Sequence, residues 1–418
     1  FNHFVEEAPE AYQLVGGEKV KVDCRFVLEG QVLSYALGDY NPDLDLIIDP
    51  PILIFVTYSG SSVDNFGFTA TYDSKGCLYA GGNVTSPFDI APNGRYPATP
   101  GAFQVNAAGF LNSSGPDSHF PCDMGISKYD SSGKTLMWAT YLGGTNNDYP
   151  HSLVVDHEDR LVIMGSTYSK DFPVDTAAFD TVHGGQADIV VVKFSWDGSA
   201  LLGSTYVGGT RNEGVLVGPL VYNYADNYRG DVQINREGHI FVASCTNSST
   251  EVPVTADALS SSLNGGYDGL IFEMDSSLQN MLWCTYWGGK EDDALYSVRI
   301  DRSRNLIFGG GTQSDSIFIS DGAFDSTFNG GTDGMVLRID QSTKTVLAST
   351  YLGTSSYDQV HFVDFDLKNH VYAYGQTEGV FPLLGSPYSF PQGGQFIVKM
   401  DEGLDSLLMS TTLGARAR

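Results

Sequence analysis

The chain has 418 residues, 48 of them glycine, with 23 Tyr and 24 Phe, and 50 acidic residues against 23 Lys plus Arg for a net charge of −27. That charge excludes a basic nucleic-acid footprint, since DNA or RNA would be repelled. No apolar run approaches the ~20 residues a membrane helix needs, and the five cysteines show neither a CxxC spacing nor the even count of a disulfide framework.

In chain order, Lys19–Leu28 and Gln31–Leu37 read as a hairpin and Leu44–Ile48 as a further strand ending at Asp49-Pro50-Pro51. Residues 1–50 are expected to be the end of a small β domain or a cover, and the absence of Met at Phe1 to mark a mature form or a fragment. Ile52–Ser59 reads as a spare strand. From there a phrase returns: Thr57-Tyr58-Ser59-Gly60, Thr140-Tyr141-Leu142-Gly143-Gly144, Thr205-Tyr206-Val207-Gly208-Gly209, Thr285-Tyr286-Trp287-Gly288-Gly289 and Thr350-Tyr351-Leu352-Gly353, with Thr411-Thr412-Leu413-Gly414 a looser copy. Repetition at this spacing decides the architecture before any local pattern does.

Each unit holds the same four strand-like segments, in the second unit Ser152–Asp156, Arg160–Ser166, Asp188–Ser195 and Ala200–Val207. They are rich in β-branched and aromatic residues, bounded by Gly, Asp or Ser, and have no helical period. The predicted fold is all-β: a β-propeller of four-stranded antiparallel blades over residues 51–418, with a short N-terminal β segment. A turn between the first two strands opens on Asp73, Asp156, Asn235, Asp301 or Asp366, with Gly76, Asp159, Gly238 or Asn369 three residues later in four units and Arg304 in the remaining one. These residue types start turns and accept the left-handed conformation that closes them.

Call the strands A to D. Alternating direction puts the D–A and B–C connections on one face and the short A–B and C–D turns on the other. Two connections swell, Thr85–Pro121 and Glu213–Gly230, and both belong to the first face. So do two acidic sets: Asp64, Asp148, Glu213, Asp293 and Asp358 follow the repeat tyrosines, and Asp123, Asp188, Asp268 and Asp333 open the C strands. These nine carboxylates are the candidate binding face. They could hold Ca²⁺, which takes hard oxygen ligands, or receive a basic partner. Their recurrence in every unit favours a cap on loop amides within each blade, because a repeated residue usually serves the repeated unit. No cofactor is otherwise indicated. Gly133-Lys134-Thr135 lacks the rest of a phosphate loop, and His151, His157, His183 and His239 fall near expected turns and form no triad.

The series Ser-Thr-Tyr-x-Gly-Gly, Val-Val-Asp, Leu-Val-Ile-x-Gly-Ser-Thr, Asp-Phe-Pro, Ala-Phe and Asp-Ile-Val-Val-Val-Lys-Phe, best seen in Tyr141–Phe194, resembles the SBBP beta-propeller repeat. The preceding Gly38-Asp39-Tyr40 and Leu46–Pro50 resemble the end of a domain found ahead of such propellers in large Bacteroidota surface proteins. The resemblance implies an exported, non-catalytic binding, adhesion or spacer module, of the kind carried by type IX secretion and gliding-associated proteins. Its partner would be a protein or glycan on the insertion-bearing face, with the outer-membrane secretion or gliding machinery a candidate. It implies no catalytic residue. The competing expectations are a propeller glycosidase or lyase using acids of that face, and a structural spacer.

Overall fold

The computed structural model describes residues 10–16, 18–29, 32–49, 57, 65–85, 96–108, 122–223, 226–385, 390 and 392–414. The chain divides into two compact units, 1–57 and 58–418.

In the first unit Glu10–Val15 pairs antiparallel with both Glu18–Val22 and Leu46–Asp49, and Cys24–Glu29 forms a hairpin with Val32–Leu37. The strand expected over Lys19–Leu28 is therefore two strands, parted at Asp23, whose carbonyl accepts a 2.7 Å bond from Gly38 N. The spare strand at 52–59 lies outside the described residues, Thr57 apart.

The second unit is a β-propeller of five described blades, each a four-stranded antiparallel sheet in the order A-B-C-D. Blade I is Asn65–Tyr72, Leu78–Thr85, Cys122–Tyr129 and Leu136–Leu142. Blade II is Asp148–Val155, Leu161–Thr167, Asp188–Phe194 and Leu201–Val207. Blade III is Asp231–Ile234, Ile240–Thr246, Asp268–Met274 and Met281–Trp287. Blade IV is Asp293–Ile300, Asn305–Thr312, Asp333–Asp340 and Val346–Leu352, and blade V is Asp358–Phe365, Val371–Thr377, Gln395–Met400 and Leu407–Leu413.

Strands B and C of blade II are buried along their whole length. A sheet covered on both faces reads as an unbroken apolar run rather than an alternation, which is why Ile189–Val192 carries no polar residue. The core lies between blades: Phe241, Ile271 and Trp283 of blade III pack with Leu295, Phe308 and Leu337 of blade IV. Tyr206, Tyr286 and Tyr351 of the recurring phrase each donate from Oη to the carbonyl of Ser169, Ser248 or Ser314, at 2.7–2.9 Å, and so fasten strand D to the preceding B–C connection.

The A–B turns form as expected. Asp73, Asp156, Asn235 and Asp366 accept bonds from amides two and four residues on, and Asp301 from Asn305 N. Gly76, Asp159, Gly238, Arg304 and Asn369 all have positive φ, between 59° and 86°. Four of the turn acids also receive a buried or half-buried cation from strand C: Lys128 to Asp73, Lys193 to Asp156, Arg338 to Asp301 and Lys399 to Asp366. Blade III, with neutral Asn235, carries Glu273 instead, paired with His239 and Lys344. Cys77, Cys122, Cys245 and Cys284 are buried free thiols and Cys24 is a half-buried one.

Candidate functional site

The acidic sets do not face solvent. Asp148, Glu213, Asp293 and Asp358 are wholly buried, as are Asp123, Asp268 and Asp333, and Asp188 is 1% exposed. Each described member of the first set closes the turn behind it: Asp148, Glu213 and Asp293 accept from Gly144, Gly209 and Gly289 N, and Asp358 from Thr354 N, at 2.6–2.8 Å. Thr167, Thr246 and Thr312 hydroxyls donate to the same three acids. The second set caps the loop entering strand C, taking Ala108, Gly184, Asn264 and Asn329 N at 2.7–3.0 Å.

Members of the two sets meet across the glycine of the recurring phrase. A Cβ on Gly143 would stand 2.5 Å from Asp148 and 2.7 Å from Asp123, and Gly208 and Gly288 sit likewise between Asp188 and Glu213 and between Asp268 and Asp293. Burial pushes Asp123, Asp188, Glu213, Asp293 and Asp333 up to about 7 and Asp268 to about 6, and raises Asp148 and Asp358 as well. The eight described carboxylates are internal caps at the blade joints, the reading their recurrence favours, and do not form an exposed binding face. Asp64 lies outside the described residues. Among the described residues no cluster of three or more His, Cys, Asp or Glu could hold a metal ion, so the Ca²⁺ expectation gains no site there.

The two swollen connections differ. Residues 96–108, the described part of Thr85–Pro121, run along strand D of blade I: Thr99 N bonds Ala139 O and Tyr141 N bonds Gln104 O. Blade II does the same through Asp175 N to Ser204 O and Tyr206 N to Asp180 O. This stretch is ordinary blade structure at the outer edge. Glu213–Gly230 instead crosses the ring. Leu220 O accepts 3.0 Å from Gln359 Nε2 of blade V, Asn223 Nδ2 donates 2.5 Å to Gln376 Oε1, and Tyr222 bonds Glu378 and stacks on Tyr357 at 4.4 Å. It returns through Tyr228, stacked on Tyr149 of blade II at 3.9 Å, to begin blade III.

Beside this crossing lies a cavity of about 450 Å³ where the A strands converge. Its lining includes Phe66, Phe68, His151, Tyr228, Arg229, Tyr296, His361 and Phe362. A β-bulge places four of these. The register slips at Gly67/Thr69, Pro150/Ser152, Leu295/Ser297 and Val360/Phe362, leaving Phe68, His151, Tyr296 and His361 as the extra residues. A bulge turns the side chain at the slip away from the ladder and re-aims it, here toward the common axis. In blade III Gly230 precedes the first strand residue, Asp231, and the crossing connection supplies Tyr228 and Arg229 instead.

The polar atoms of this ring are unusual. His151 bonds Ser166 through Nε2 at 2.9 Å, its Nδ1 and the Tyr296 hydroxyl are buried without a hydrogen-bond partner, and His361 has the Gln376 side chain beside it. Burial lowers both imidazoles to about 3, so they are neutral at pH 7 and each offers one donor and one acceptor. Arg229 adds a guanidinium, held by Asp226 at 2.5 Å. The other histidines lie elsewhere: His157 is exposed at a turn, His183 packs edge-on to Tyr206, and His239 pairs with Glu273. The sequence does contain the site's signal. Phe68, His151, Tyr296 and His361 each stand ten residues after the repeat tyrosines Tyr58, Tyr141, Tyr286 and Tyr351.

No curated protein matches the chain. Solved structures similar to it include proteins of unknown function from Dyadobacter fermentans (12% identity over 86% of this chain and 85% of that one, TM-score 0.41) and from Bacteroides caccae (7%, 97% and 94%, 0.38). Another is the NanB sialidase of Streptococcus pneumoniae (9%, 89% and 65%, 0.37). Residues 1–51 match a domain of unknown function, DUF7948. Residues 138–173, from strand D of blade I through strands A and B of blade II, match the SBBP beta-propeller repeat, so the propeller carries a repeat of that kind.

Proposed function

We propose that this propeller is a non-catalytic binding module that seats a ligand of one or two sugar units in the axial cavity. The observation that carries the reading is the cavity itself, whose lining brings the polar side chains of His151, Arg229, Tyr296 and His361 together with the rings of Phe66, Phe68 and Phe362. A concave site lined mainly by aromatic rings with a few polar side chains is the usual form of a small-molecule site. Neutral imidazoles and a phenol suit hydroxyl groups, and the half-exposed Phe66 and Phe362 rings offer the apolar surface a sugar face stacks on. Cell-surface placement, export of the type IX kind and a role in adhesion or gliding rest on the sequence resemblance alone. The competing glycosidase reading depended on acids of the candidate face, and the eight of those carboxylates that the structure describes are buried at blade joints.

Calorimetric titration with a panel of neutral mono- and disaccharides tests the proposal. Binding by the wild type, lost in His151→Ala/His361→Ala with an unchanged circular dichroism spectrum, is the expected result. Saccharide binding that survives this double change places the ligand elsewhere. Turnover abolished by Asp148→Asn or Asp293→Asn would restore the enzyme reading.

A further inference from the structure

A second depression, of about 360 Å³, lies among the A–B turns of blades II, III and IV and the end of strand A of blade V. By strand alternation this is the face opposite the crossing connection. Its charge is contrary to the chain's. His157, Arg236, Arg302 and Arg304 border it, all exposed, in a protein with more than twice as many acids as bases. The acids nearby are already engaged. Asp301 is buried under Arg338 at 2.6 Å, and Glu237 takes Arg304 at 3.1 Å. Neither Arg236 nor Arg302 makes an ion pair among the described residues.

Arg304 adds an independent observation. It occupies the left-handed turn position, φ 67°, that Gly76, Asp159, Gly238 and Asn369 fill in the other blades. A long side chain there is unfavourable to the turn, and blade IV departs from the other four by placing a guanidinium at the rim of the depression. Leu278, Lys344 and Leu404 take the same conformation at C–D turns, so what sets Arg304 apart is the charge it brings to the depression.

We propose that this depression binds a tetrahedral oxyanion group, the phosphate or sulfate of a larger ligand. The guanidinium fork bonds two oxygens of such a group at once. Arg236 and Arg302 line the depression without an ion pair and Arg304 joins them at its rim, and the repulsion from the rest of the acidic surface leaves recognition to short-range contacts with these groups. The site is separate from the axial cavity, so either reading can fail alone.

The test uses the whole chain and calorimetry with inorganic phosphate, inorganic sulfate, glucose 6-phosphate and glucose 6-sulfate, at constant ionic strength set with chloride. Saturable binding is expected, weakened about tenfold or more by Arg236→Ala and by Arg302→Ala, since each removes a charge-assisted contact. A preference for the phosphate or the sulfate series names the carrier. Arg304→Gly is expected to weaken binding while the melting temperature holds or rises, because glycine relieves the turn. Absence of binding by all four probes, or binding unchanged in Arg236→Ala/Arg302→Ala, overturns the proposal.

Discussion

His151 and His361 are the same structural position in blades II and V: each is the extra residue of a bulge that presses its strand onto a glycine of strand B. The Tyr149 carbonyl would stand 2.3 Å from a Cβ on Gly165, and the Gln359 carbonyl 2.1 Å from one on Gly375. Gly82 and Gly310 meet Phe66 O and Ala294 O in the same way, at 2.2 and 2.0 Å. Blade III, which shows no such register slip, has Ser244 at this place. The bulge and the glycine therefore come together.

It follows that Gly165→Ala should do double damage. The clash is with backbone, which no rotamer change relieves, so the cost should be about 1–3 kcal/mol, and His151 should be displaced from the cavity. Ser244→Gly should cost no more than about 1 kcal/mol. Urea unfolding of the two variants checks this. Equal and small losses in both would show that the bulge is not held by the glycine.

The turn ion pairs predict a different asymmetry. Arg338 and Asp301 are both buried at 2.6 Å, with Arg338 also reaching Glu402. Removing one partner strands a buried charge, so Arg338→Ala should destabilise by about 3–5 kcal/mol, whereas Arg338→Met with Asp301→Asn should cost far less. Blade III already lives without this pair, through Asn235 and Glu273. Unfolding curves that rank the double variant below the single one would contradict the argument.

How much of this was legible follows from which residues serve the repeated unit. The recurring Tyr, the turn acids and the strand order could be read directly, because hydrogen bonding and burial demand them in each blade. The same logic pointed to the role of Asp148 and Asp188, which recur because every joint needs a cap, whereas placing them on a binding face rested on loop direction alone, and a loop acid in sequence looks solvated until the amides that turn inward to meet it are known. The axial residues vary between blades as Phe68, His151, Tyr296 and His361, and a changing residue in a fixed frame carries no motif. Their common spacing of ten residues from the repeat tyrosines marks a shared address, but only the bulge shows that the address lines the cavity. The role of Glu213–Gly230 was half legible, since its length marked it but its path to Gln359 and Glu378 depends on side chains in a distant blade.

Asp231 is a second link across the ring. It accepts from Ser152 of blade II at 2.7 Å and, from blade IV, Val298 N at 3.1 Å and Arg299 Nη1 at 2.5 Å, while Ser297 Oγ donates to it and accepts from Val363 N of blade V. One carboxylate thus ties four blades around the axis. Asp231→Ala should cost about 2–3 kcal/mol, since it leaves buried donors unpaired. Adding Ser152→Ala should cost little more, because the two changes remove the same contact. A fully additive pair in thermal unfolding would show that the contact contributes nothing.

The joint carboxylates set the pH dependence. Asp123, Asp188, Glu213, Asp293 and Asp333, raised to about 7, Asp268, raised to about 6, and Asp148 and Asp358, also raised, all bind protons more tightly folded than unfolded. Between about pH 4 and pH 7 the folded chain therefore holds the extra protons, and their contribution is lost as pH rises through that window. His151 and His361, lowered to about 3, and His183, also lowered, act the other way, because the unfolded chain holds their protons up to about pH 6.5. Eight carboxylates oppose three imidazoles, so the carboxylates prevail and the melting temperature should be several degrees higher at pH 5.5 than at pH 7.5. Acids with lowered values, such as Asp340 at about 2 and Asp156 beneath Lys193, titrate only below that range and should bring stability down again in stronger acid. Asp123→Asn/Asp148→Asn should flatten the slope between pH 5.5 and 7.5, since amides keep the shape and do not titrate. A melting temperature that climbs steadily from pH 5.5 to 7.5 in the wild type would mean that these carboxylates stay charged in the fold.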